Sequence, residues 1–199
     1  KKALVLLFRG KTVGDVSGAT IEEWFYELIV AWSDSGISEQ VESRLDALLN
    51  ENIELSDQRF KDNLCLYQAE PKVGKYFHTK IAFYERGVEW IPDYGSVDLE
   101  HVLPKNSGEH WGSFTSSPSE DRIKYYKNLG NMILLKRSVN RSIQNFNFDR
   151  KKLDYQGALF DDENDILDMP AWTVQTIEQR NNKLAEKALT IWGLPQRSS

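Results

Sequence analysis

The residue types best suited to chemistry lie in three short segments. These are Asp98-Leu99-Glu100-His101-Val102-Leu103-Pro104, then Leu129-Gly130-Asn131-Met132-Ile133-Leu134-Leu135, then Asn140. Histidine titrates near neutrality, so His101 is suited to taking a proton from water. Glu100 and Asn140 offer a carboxylate and an amide carbonyl, oxygen ligands for a hard divalent cation. Such a cation neutralises a phosphate in its pentavalent state and steadies the oxygen that leaves. Asn131 opens an apolar run, where it can fix a loop and orient the His101 ring, or serve as a further ligand. The chemistry that unites these types is metal-assisted hydrolysis. One condition attaches to it. Adjacent residues of a strand point to opposite faces, so Glu100 and His101 converge on one phosphate only if the strand is twisted or bulged there.

Taken singly, each piece has a plainer reading. A Glu-His pair is commonly a surface pair, Asn after Gly is turn chemistry, and Asn140 can make local hydrogen bonds at a helix start. His78 beside an apolar helix face reads as a partly buried or surface histidine, and His110 in a polar loop reads as non-catalytic. The surroundings strengthen the set. The chain has 199 residues and a net charge of −5, which argues against a nucleic-acid partner. Yet Arg122 to Lys152 holds nine Lys/Arg and one acid, a local +8 that leaves −13 on the remainder. A basic strip around a metal site suits a phosphate backbone, with Arg137, Arg141, Lys151 and Lys152 as the residues to hold flanking phosphates.

The elements that must position these groups follow from periodicity and capping. Residues 1–97 read as helical. Thr20-Ile21-Glu22-Glu23 reads as a capping box, followed by Trp24, Phe25, Leu28, Ile29 and Trp32 on one face and a stop at Ser35-Gly36. Ser38 and Ser56 read as caps of a second and third helix, with Val41, Leu45, Leu48, Leu49 and then Phe60, Leu64 and Tyr67 inward. A fourth helix runs over 72–85, ending at Gly87. The character changes near Trp90-Ile91-Pro92. Residues 97–103 are a strand candidate, 105–120 a loop, 120–128 a short helix and 132–135 a second strand. Ser138 can cap a short helix that carries Asn140 and Ile143. Residues 161–165 form an acidic loop without the features of a calcium site, and Thr173 starts a last helix with Ile177, Arg180, Leu184, Ala188 and Trp192 in register. The single Cys65 excludes an internal disulfide and a paired-cysteine zinc knuckle. The apolar run 3–8 is too short to span a bilayer.

The strand, long loop, strand and helix, with His, Asn and Asn in this order, resemble an HNH nuclease in its ββα-metal form. The resemblance extends further. EHVLP at 100–104, Trp111, YYKNLGNMILL at 125–135 and Asn140 are similar to the C-terminal HNH domain of GmrSD-type, modification-dependent restriction enzymes. So are Asn145, Phe148 with Lys151 and Tyr155, and WTVQTIEQRNNKLAEKALTIW at 172–192. Met132 stands where that family commonly has Leu. Glu100 stands where many HNH enzymes have Asp, which leaves the metal geometry open.

The expectation is a mainly α protein with an embedded ββα-metal (HNH/His-Me finger) motif: a helical region over 1–96 packing on a nuclease domain over 97–199. The resemblance implies a metal-dependent endonuclease acting on double-stranded DNA, the effector of an anti-phage restriction protein. It implies His101 as general base with Asn131 orienting it, and Glu100 and Asn140 as ligands of a divalent metal, Mg²⁺ before Mn²⁺. It also implies an N-terminal sensor domain outside this chain. The lone cysteine fits a cytoplasmic location, the short apolar run gives no membrane partner, and an oligomer stays open. The rival expectation is a non-catalytic DNA-binding or regulatory module with a vestigial site.

Overall fold

The structure is a computed structural model that describes residues 1–35, 38–86, 95–106, 108, 111, 114, 119–143, 145–160 and 164–195. The stop signals at Gly36 and Gly87, the change near Trp90, His110 and most of the acidic loop lie outside these residues. The fold is mainly helical with a small two-stranded antiparallel sheet. The chain divides into two compact units, Lys1–Leu66 with Ala188–Ser199, and Tyr67–Lys187.

In the first unit, α1 (Lys2–Leu7) runs on into a π-helical stretch over Phe8–Val13. Then follow α2 (Gly18–Ser35), α3 (Ser38–Glu51) and α4 (Asp57–Leu66). The cap of α2 is Ser17, whose hydroxyl accepts from the Thr20 amide at 3.1 Å, so the helix starts earlier than the Thr20 box suggests. Only Trp24 and Leu28 of its predicted face are buried, while Ile29 and Trp32 are exposed. Of the expected inward residues, Leu45, Leu48 and Leu49 of α3 and Phe60 and Leu64 of α4 are buried, while Val41 is half-buried and Tyr67, past the end of α4, is half-buried too. At the centre lies Arg9, fully buried. Its guanidinium donates to the Trp192 and Leu55 carbonyls, each at 2.7 Å, and to Asp57 at 2.6 Å. Three charge-assisted bonds offset the cost of taking that cation out of water.

The second unit carries the motif. α5 (Pro71–Arg86) buries Phe77, His78, Ile81 and Ala82. β1 (Val97–His101) leads through 102–118 to α6 (Ser119–Tyr126), and a short 3₁₀ turn over Leu129–Asn131 opens β2 (Met132–Lys136). The strands pair without interruption, Leu99 with Leu134, Glu100 with Ile133 and His101 with Met132. α7 (Arg137–Asn140) follows β2 directly. Its N-cap position is Lys136 and makes no side-chain cap bond, so Ser138 lies inside the helix rather than before it. α8 (Phe148–Tyr155), α9 (Asn164–Asp168) and α10 (Val174–Ile191) complete the chain. Thr173 caps α10 as its position suggests, accepting from the Thr176 amide at 3.2 Å.

The ribbon is apolar on both faces. One face packs Val97 and Leu134 with Ala82 of α5. The other packs Ile133 and Leu135 into the larger core with Val102, Leu103, Trp111, Phe114, Phe148, Tyr155 and Trp172. At Gly74 a Cβ would meet the Met132 sulfur at 2.6 Å, so a glycine there lets α5 approach the strands.

Candidate active site

The regular pairing of β1 settles where its polar residues point. There is no bulge at 100–101, so Glu100 and His101 lie on opposite faces. Glu100 faces the larger core. Its carboxylate lies 2.6 Å from the Lys151 ammonium and 3.4 Å from the Tyr155 hydroxyl. Lys151 is 1% exposed. Its other two bonds go to the carbonyls of His101 and Val102, each at 3.0 Å. An ammonium has three donors, and all three are spent on the end of β1. Burial pushes the Glu100 carboxyl up and the Lys151 ammonium down, each opposed by the charge of its partner.

His101 faces the other way. Its ring stacks on Tyr126, centroids 4.2 Å apart at an interplanar angle of 18°. The pair borders a cleft of about 870 Å³ whose lining includes Lys105, Arg122, Lys127 and Glu70. The His101 pKa is lowered to about 4, first by burial, then by the Lys151 charge and then by His78. The ring is therefore neutral at physiological pH. His78 itself is fully buried, not half-exposed as its place on the helix suggests, and its Nε2 donates to the Leu129 carbonyl at 3.1 Å.

Asn131 is fully buried. Its Oδ1 accepts from the Leu103 amide at 2.7 Å and from the Trp172 indole at 3.0 Å. Its Nδ2 donates to the Leu103 carbonyl at 3.0 Å and to the Tyr126 carbonyl at 3.1 Å. Both lone pairs and both protons are used, which leaves nothing for a metal. The side chain ties the turn after β1 to the end of α6, where Tyr126 stacks on His101. Gly130 precedes it because a Cβ there would meet the Ile177 carbonyl at 2.2 Å.

Asn140 is placed differently. Its Nδ2 donates to the Leu99 carbonyl at 3.4 Å, and its Oδ1 is buried with no hydrogen-bond partner among the described residues. A buried carbonyl oxygen without a donor is costly, and it suits a hard cation or its water. Among the described residues no three His, Cys, Asp or Glu gather to cage an ion. The donor set thus fits one strongly hydrated ion, of the kind that takes one or two protein oxygens and keeps its waters. Glu100 does not meet the condition for that role beside His101: with no bulge at 100–101 it faces away from the ring and pairs with Lys151.

The four basic candidates separate. Arg141 is exposed. Arg137 lies 3.8 Å from Asp98. Lys152 donates to the Met169 carbonyl at 3.0 Å and lies 3.4 Å from Asp149. Lys151 is buried, where no phosphate can reach it.

The family model for the C-terminal domain of GmrSD restriction endonucleases matches residues 28–187. The chain belongs to this family. The match begins inside α2 and ends inside α10, and so takes in every residue of the site. A GmrSD C-terminal domain is a domain of restriction-endonuclease type, and the basic cleft beside His101 accords with that class. No curated protein matches the chain. Among the described residues of this GmrSD domain, no helix is long and apolar enough to cross a membrane.

Sequence reasoning missed Tyr126, Trp172 and Lys105 as site residues, and counted Arg122 and Lys127 only within the basic strip. For Trp172 and Tyr126 the only signal is their place in the aromatic segments of the GmrSD pattern. For Lys151 a physical signal exists. Phe148, Lys151 and Tyr155 share one face of α8, and two of the three are large and aromatic, so the lysine between them must point inward.

Proposed function

We propose that this domain is a metal-dependent HNH endonuclease that hydrolyses phosphodiester bonds of double-stranded DNA. The observation that carries the reading is His101: a neutral imidazole at the wall of a basic cleft, adjoining a strand end held on both sides. His101 takes the proton of the attacking water on a ring nitrogen. An incoming phosphate, being anionic, raises the low pKa of the ring toward the working range. Asn131 acts by position, fixing the Leu103 turn and Tyr126 so that the ring keeps its orientation. A divalent metal, when bound, supplies Lewis acidity to the phosphate and the leaving oxygen. Asn140 would hold it through Oδ1. Arg137 and Arg141 lie on the segment that follows β2 and would contact flanking phosphates. Lys152 would reach them only by leaving Met169. Lys151 serves the strand end instead.

In this reading the domain is the cutting part of an anti-phage restriction protein in the cytoplasm, with recognition of modified DNA carried by a sensor domain of the same polypeptide. The test is nicking of supercoiled plasmid in Mg²⁺ or Mn²⁺ against an EDTA control. Parent protein should convert plasmid only with metal. His101→Ala should lose ~10²–10⁴-fold in rate. Equal nicking by a folded His101→Ala protein would overturn the reading.

A further inference from the structure

The cleft beside His101 contains cations that the catalytic assignment does not use. Lys105 is exposed, one residue past the Pro104 that ends the motif. Lys127 lies on the chain after α6, where Glu70 holds it at 2.6 Å. Arg122 lies on α6 one turn before Tyr126. Its Nε is buried with no hydrogen-bond partner among the described residues. Three cations against one carboxylate leave this part of the lining positive, and a buried N–H without an acceptor is a destabilising state that a ligand oxygen relieves. Guanidinium and phosphate match as a fork, with two parallel bonds. The rest of the lining includes Ile123, Pro71 and Tyr126, with Asn106 and His101 as further polar groups. A volume of about 870 Å³ exceeds what a lone phosphate needs, and lies in the usual range for nucleotide-sized ligands.

We propose that this cleft is the phosphate clamp for the strand being cut. Arg122 and Lys105 grip successive backbone phosphates, and Lys127 is kept in place by Glu70 at the rim. The inference rests on the endonuclease reading and assigns the strand's path to the His101 face of β1, away from the face of Lys151. It also moves the main phosphate contacts from the segment after β2 to the loop after β1 and to α6.

The test measures binding of a fluorescein-labelled DNA duplex to the full chain by anisotropy, in EDTA, over a range of salt. Binding is thus read apart from cutting. Arg122→Gln and Lys105→Gln should each weaken binding and flatten the slope of log K against log salt by about 0.9, and the double variant by about twice that. Arg122→Lys should restore the slope but not the full affinity, because it returns the charge without the fork. Lys11→Gln, in the other unit, should match the parent. Parent-like affinity and slope in the folded Gln variants would overturn the clamp, even if the parent nicks plasmid. A parent that binds with these slopes but never nicks would defeat the hydrolytic reading and leave the clamp standing.

Discussion

The Lys151 ammonium and the Glu100 carboxylate form a buried ion pair at 2.6 Å, and the same ammonium holds the backbone carbonyl of His101. The pair therefore joins α8 to the end of β1 at the residue assigned to acid–base work. Breaking one side of such a pair leaves the other charge buried alone, at about 3–5 kcal/mol. Lys151→Met should cost that much in urea unfolding. Lys151→Met with Glu100→Gln should recover part of it, since no bare charge remains. If the double variant is no more stable than the single, the pair is not the source of the loss.

The low His101 pKa gives a pH prediction with a definite sign. The folded value of about 4 lies below the ordinary 6.5. The unfolded chain then binds the proton more readily, so stability rises with pH across that interval. The contribution is complete above about pH 6.5 and is lost as pH falls toward 4. Histidine NMR of the metal-free protein should show one ring that stays neutral until near pH 4. Lys151→Met, lacking the second-ranked cause of the depression, should titrate it higher. A His101 signal that titrates near 6.5 in the parent would contradict the partly buried placement beside the Lys151 charge.

Asn131 makes four hydrogen bonds at a fully buried position. Asn131→Asp keeps the shape but faces two carbonyls with an oxygen in place of an NH₂. At about 1–3 kcal/mol per buried group left unsatisfied, it should lower stability by several kcal/mol in a denaturant titration. It should also loosen the Tyr126 stack on His101. A substitution as mild as a surface one, within about 0.5 kcal/mol, would show that the amide orientation assigned to Asn131 is reversed.

Asn140→Ala removes a buried amide oxygen that has no donor among the described residues. The fold should change little, because the group lost is an unsatisfied one, while more Mg²⁺ should be needed for half-maximal nicking. Titration curves that superimpose on those of the parent would move the metal ligand away from α7.

The sequence was legible where one signal decided one element. The α10 helix shows its cap at Thr173 and its buried stripe from Ile177 to Trp192, because a strong cap and a long amphipathic repeat agree. Both strands appear within two residues of their expected ends. Legibility failed where neighbours far along the chain decide. Ser17 displaces Thr20 as the α2 cap because the helix can begin as soon as a hydroxyl reaches the orphan amides. Ile29 and Trp32 carry the right period yet remain exposed, since period shows which residues share a face and not how wide a face finds cover. The site divides the same way. The motif singled out His101, Asn131 and Asn140, but charge alone could not distinguish the buried Lys151 from the exposed Arg141. The cleft cations come from the loop after β1 and from α6 with the residue that follows it, and no local pattern joins them.

The first unit is discontinuous. Phe8 stacks on Trp192 with centroids 4.2 Å apart, and Arg9 bonds the carbonyl of the same residue. During synthesis, therefore, Phe8 and Arg9 leave the ribosome well before the residue that stacks on one and accepts from the other. The Tyr67–Lys187 unit is fully translated by the time Trp192 emerges, so of the two units the one begun earlier is the one completed later.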